Sequence, residues 1–70
     1  MEPIILAIML YLSYIVSPGQ YYQHEIDAIY DANEMTIQTV HADPVQMQVV
    51  EADFLPQTEY VLVDEFLIAE

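Results

Sequence analysis

The chain reads as an α+β protein: one N-terminal apolar helix packed on a small antiparallel β-meander of three to four strands, with a second copy of the chain completing the core as a homodimer. Three observations predict this. Residues 4–16 form a nearly unbroken apolar run, interrupted by Ser13 and the tyrosine hydroxyls. Short segments alternating apolar and polar residues follow it, separated by clusters of turn-forming residues, the signature of a meander. The chain has 70 residues and no Cys, so it has neither a large core nor a disulfide, and association is the remaining common support for so small a fold.

The elements follow in order. Pro3 suits the first turn of a helix, and Glu2 is favourable near its positive end. Ile4, Ile5, Ile8, Leu12 and Ile15 trace one face, while Leu6, Met9, Leu10 and Val16 cover much of the rest. A helix apolar all round is buried all round. The sheet is expected on one side and a twin helix on another, with Ile8, Tyr11, Leu12 and Ile15 at the dimer seam. A buried strand is the competing reading of this run, and its length favours helix. Ser17-Pro18-Gly19 forms a turn. Residues 21–31 fit two patterns: Tyr22, Ile26, Ile29 and Tyr30 lie at helical spacing, whereas Ile26, Ala28 and Tyr30 alternate as in a strand, the reading taken in the meander. After a turn at Asp31-Ala32-Asn33-Glu34, residues 35–40 alternate apolar and polar. His41-Ala42-Asp43-Pro44 turns the chain again. Residues 45–49 alternate cleanly and run on to Phe54. Leu55-Pro56-Gln57-Thr58 breaks the pattern, and Tyr60-Val61-Leu62-Val63 opens the last strand. Residues 64–70 finish as strand or as a short helical turn. Residues 1–70 thus read as a single domain, with no internal repeat.

Charge is the most unusual property. The chain has 12 acidic residues, no Lys and no Arg, for a formal charge of −12. At ordinary usage, a chain of this length would lack both basic residues with a probability on the order of one in ten thousand, which points to exclusion of positive charge rather than to chance. Acidity of this kind often accompanies disorder, but disordered chains are poor in apolar and aromatic residues. This one is 56% hydrophobic with 6 Tyr and 2 Phe, so it should fold. Direct binding of DNA or RNA is disfavoured, because nothing would neutralise the phosphates. A surface that looks like a polyanion is the economical reading, and generic solubility is the plain alternative. A role in a membrane is disfavoured. The run at 4–16 is short of the roughly 20 residues a spanning helix needs, and only Glu2 precedes it, so a positive n-region is missing.

Carboxylates are the main candidate functional groups. On strands, Glu25 and Asp27 would project from one face about 6.6 Å apart, as would Glu51 and Asp53. That spacing is close to the separation of successive phosphates along one nucleic-acid strand. Asp31, Glu34, Asp43, Glu59, Asp64 and Glu65 fall near turns or element ends and would extend such rows. The plain alternative is that these residues occupy the solvated face of each strand. Catalytic and metal constellations are weak. His24 and His41 lie near acidic residues but at no recognised ligand spacing, and Gly19 is the sole glycine, so a phosphate-binding loop is missing. No metal or cofactor is expected, and the chain is not expected to be an enzyme. Tyr11 and Tyr14 would anchor packing, while Tyr21, Tyr22, Tyr30 and Tyr60 suit either core or partner contacts.

In its length, its lack of Lys and Arg and its carboxylate pairs Glu25/Asp27 and Glu51/Asp53, the whole chain resembles the small acidic DNA-mimic proteins of bacteriophages. The likeness is one of composition, without an aligned signature. It implies an acidic α/β dimer that works as a competitive inhibitor in the host bacterial cytoplasm, at the nucleoid. Its carboxylates would fill the basic DNA-binding site of a host protein. The nucleoid protein HU is the first target it suggests; uracil-DNA glycosylase, restriction enzymes and CRISPR effector complexes are the others. Two different readings stand beside it: an oligomeric structural protein seamed by the first helix, and a membrane-associated protein with an acidic soluble part.

Overall fold

The apolar run folds as helix α1 (Pro3–Tyr11) in a computed structural model that describes residues 2–64. Pro3 occupies the first helical turn, where its missing N–H costs nothing. The helix stops sooner than the run at 4–16 predicts. Ser13 takes a left-handed conformation, φ 66°, and its N–H donates to the Leu10 carbonyl while the Tyr14 N–H donates to that of Met9. These two bonds are a Schellman cap, which satisfies the last carbonyls of the helix and turns the chain. Tyr14 and Ile15 then fold back as irregular chain, with Ile15 still in the core.

The chain next enters β1 (Gly19–Tyr22), after a cis Ser17–Pro18 bond. Gly19 is required by close approach. A Cβ there would lie 2.5 Å from the Val16 carbonyl oxygen and 2.9 Å from Cε2 of Tyr21. Tyr21 reaches back to that loop, and its hydroxyl accepts the Val16 N–H at 2.9 Å. The partner of β1 is β2 (Val61–Asp64), in parallel, with Gly19 opposite Val61 and Tyr22 opposite Asp64. A parallel pair needs a long crossover, and residues 23–60 supply one that is helical throughout except for the corners.

That crossover overturns the predicted fold class. Among the described residues the structure is 70% helical, with four α-helices and two parallel strands, not one helix on an antiparallel meander. The segments expected as strands at 21–31, 35–40 and 45–54 form α2 (Gln23–Ala32), α3 (Glu34–His41), α4 (Pro44–Val49) and a π-helical segment, Val50–Phe54, which continues α4. A 3-10 segment, Leu55–Tyr60, leads into β2. Asn33 is the joint between α2 and α3: its N–H and side-chain amide donate to the end of α2, and its carbonyl accepts the Ile37 N–H. Asp43 starts α4. Its carboxylate accepts the Val45 and Gln46 N–H groups, and Pro44 fills the first helical position.

The core gathers around α1. Ala7, Ile8 and Met9 are fully buried together with Ile26 of α2, Ile37 of α3 and Val50 of the π segment. Leu6, Leu10, Ile15, Val40, Met47 and Val61 complete the cluster. No polar residue is buried among the described ones. The reason for expecting a twin helix was that one short chain could not cover α1; its own helical layer covers five of its nine residues. Ile8 and Ile15, two of the four expected seam positions, are 0% and 3% exposed inside this core. They could meet a second copy only by leaving it. Leu12 is half-buried. Tyr11 is too, and it is engaged internally: its hydroxyl donates to Oε1 of Gln46 at 2.8 Å, and its ring meets Phe54 edge-on at 5.8 Å.

Candidate functional site

With the interior apolar, the candidate functional groups are at the surface. Nine of the ten acidic residues within 2–64 are exposed, and Asp43 is half-buried. Eight of them are spread along the crossover at residues 23–60, with Glu2 before α1 and Asp64 at the end of β2, rather than gathered on a sheet. The sheet-based rows do not form. Glu25 and Asp27 lie on α2, where two residues turn the side chain by about 200° around the axis, so they face opposite ways. Glu51 and Asp53 lie on the π segment and are likewise not strand neighbours. Glu65 lies outside the described residues.

Each remaining carboxylate has a definite setting. Glu25 bends back over the start of α2 and accepts the Tyr22 N–H at 2.8 Å. Asp27 accepts from the Gln23 amide at 2.9 Å. Asp31 lies one helical turn further along the same face, a like-charge pairing that costs some helix stability. With Glu34 it borders an open depression of about 290 Å³ at the α2–α3 corner, also lined by Ala32, Asn33, Met35 and Thr36. Asp64, at the end of β2, is approached by the Gln20 amide at 3.4 Å across the sheet. Glu59 is exposed on the 3-10 segment.

Asp43 is the most strongly held. Gln46 Nε2 donates to Oδ2 at 2.9 Å in addition to the helix-capping bonds. The Gln46 amide, and after it the Val45 N–H, hold the Asp43 carboxyl below its ordinary value. Asp43 is therefore a structural residue whatever else it does.

A pattern emerges that sequence reasoning missed. The side chains that hydrogen-bond to carboxylates are the neutral amides of Gln20, Gln23 and Gln46. In an ordinary protein Lys and Arg share that role and cancel charge. Here the geometry is fixed while the full negative charge is kept. The signal was present in Gln23/Asp27, four apart, and in Asp43/Gln46, three apart, both natural pairs once those segments are read as helices.

The aromatic residues divide. Tyr11 and Tyr21 are used internally, and the Tyr30 hydroxyl accepts from the Gln38 amide at 2.6 Å. Tyr22 stacks on His24 at 5.8 Å, and Tyr60 is exposed. Among the described residues, no three His, Asp or Glu side chains are grouped to hold a metal ion, and no helix is long and apolar enough to cross a membrane. Comparison with known protein families, curated proteins and solved structures gives no match.

Proposed function

We propose that this chain is an anionic decoy. It occupies the basic DNA-binding site of a DNA-binding protein in the bacterial cytoplasm and competes with DNA for it. The observation that carries the reading is the complete lack of Lys and Arg in a chain with 12 acidic residues; among the described residues, the side chains that hold carboxylates are Gln amides, which leave that charge uncancelled. Solubility accounts for an excess of Asp and Glu, but an ordinary soluble surface intersperses both signs, so solubility alone does not call for the complete loss of Lys and Arg. A surface that must attract a cationic groove loses field strength with every cation it carries.

The mechanism is competitive. Opposite fields steer the encounter and speed association, and salt screens both the encounter and the complex. The scattered placement of the carboxylates favours a target that reads the DNA backbone and groove width rather than base edges. HU binds in that way and is the first target to test; a CRISPR effector, a restriction enzyme and uracil-DNA glycosylase follow.

The test is displacement. A fluorescent DNA duplex is bound to purified HU, the chain is titrated in, and anisotropy is followed at two salt concentrations. The expected result is release of the duplex at low salt, with the midpoint moving to higher concentration as salt rises. A duplex that stays on HU removes HU as the target. Failure to displace DNA from all four proteins removes the decoy reading.

A further inference from the structure

We infer that the outward face of the continuous helix at 44–54 is the docking face, and that its occupant is a cationic, amphipathic helical segment of the partner protein. This rests on the decoy reading above and specifies where and how the partner is held.

The helix has a clear inner side. Met47 and Val50 are buried, and Phe54 is half-buried beside Tyr11. Its outer side is not the purely polar surface expected of an amphipathic helix. Val45 is 71% exposed and Val49, one turn further on, is 41% exposed. Ala52 follows on the same side and is also exposed. Exposed valine does nothing for the helix itself, because it forms helix less readily than Gln, Glu or Ala. Two of them in line form an aliphatic stripe whose benefit comes only on contact.

Open carboxylates adjoin the stripe. The carboxylate hydrogen bonds of the structure fall on Glu25, Asp27, Asp43 and Asp64. Glu51 and Asp53 accept none among the described residues, and both are exposed, a state they share with Glu2, Asp31, Glu34 and Glu59; what sets them apart is the aliphatic stripe beside them. Their oxygens remain open to incoming donors. They also lie on the π segment, a widened turn that recurs at functional sites.

Charge chooses the occupant. A second copy would bring another charge of −12 against a face already carrying Glu51 and Asp53, and repulsion opposes that. A plain polycation would satisfy the carboxylates and leave Val45 and Val49 in water. A helix with basic residues beside an apolar stripe meets both requirements, burying the valines while its cations reach the open carboxylates.

The probe is a synthetic helical peptide with Lys and Leu at positions three and four apart, titrated into the full chain labelled with ¹⁵N. The expected result is that amide shifts concentrate at Val45, Gln48, Val49, Glu51, Ala52 and Asp53. The exposed pair V45S/V49S should weaken binding about tenfold with the circular dichroism spectrum unchanged, and E25Q/D27N, which removes two charges away from the stripe, should weaken it far less than E51Q/D53N, which removes two beside it. Shifts spread evenly over the acidic elements, no binding of the peptide, or indifference to V45S/V49S would each overturn the docking face. None of those results touches the decoy reading, which is decided separately by displacement of DNA.

Discussion

Helix α1 and the helix at 44–54 divide the work of this small chain between them. Five of the nine residues of α1 are buried, and it carries no carboxylate. The second helix buries only Met47 and Val50 and sets Glu51 and Asp53 in solvent. One is surrounded on nearly all sides and the other is a shell. The difference shows how a chain with a charge of −12 stays compact: apolar contact is concentrated in one central rod, and amphipathic segments wrapped around it carry the repelling charges outward. Stability and recognition are then separable, and substitutions in the two helices should have opposite profiles.

The largest expected effect is on the rod. Ile8 is fully buried, and Ile8→Ala removes methylene contacts and leaves a cavity, a loss of about 3 kcal/mol. In a protein this small that approaches the whole stability. Urea denaturation at neutral pH reads it directly, with the transition moving to much lower urea or vanishing. A loss below about 1 kcal/mol, the level of an ordinary surface change or a mild core trim, would mean that α1 is not central and would dissolve the comparison.

The same contrast explains what was legible in the sequence. Residues 4–16 announced a buried helix because an unbroken apolar run leaves no polar face to solvate. The joints were also legible. Ser17-Pro18-Gly19, the Asn33 corner, the Asp43-Pro44 start and the break at Leu55-Pro56 all mark real boundaries. The elements between them were not. Val45, Met47 and Val49 alternate as a strand would, but on a helix Met47 turns to the side opposite Val45 and Val49, and of the three only Met47 is buried. The helical pairs Ile26/Ile29, Ile37/Val40 and Met47/Val50, each three apart, point inward instead. Asp43 before Pro44 is a helix-start signal that outweighs the alternation. The carboxylates were legible as a chemical fact and illegible as geometry, because the direction of each follows from the element carrying it. Glu25 and Asp27 share a face only on a strand.

A smaller effect sits where the shell begins. Asp43 holds the start of α4 with a carboxyl kept below its ordinary value by the Gln46 amide and the Val45 N–H. A depressed folded-state value means that charged Asp43 stabilises the fold above the ordinary carboxylate range. That contribution is lost as pH falls through the lowered value. Asp43→Asn keeps a competent cap and removes the charge. The variant should unfold at lower urea than the parent at pH 7. The gap should close progressively below about pH 4, the ordinary aspartate range. A gap that persists unchanged at pH 2 would assign the contribution to the cap's shape rather than to its charge.

The smallest effect on the fold, and the sharpest separation of the two helices, comes from Glu51 and Asp53. Replacing them as E51Q/D53N removes two carboxylates to which no described residue donates a hydrogen bond. Nothing internal is lost, and self-repulsion falls. Thermal unfolding at low salt should therefore be unchanged or shift upward. Added salt should erase any gain, because it screens the same repulsion in the parent. Release of DNA from HU should weaken in the same variant, with a shallower dependence on salt. Ile8→Ala shows the reverse, a large loss of stability, with binding retained by whatever fraction stays folded. If E51Q/D53N unfolded early and its folded fraction bound HU as the parent does, those carboxylates would belong to the fold. The division between an apolar rod and a charged shell would then have been drawn in the wrong place.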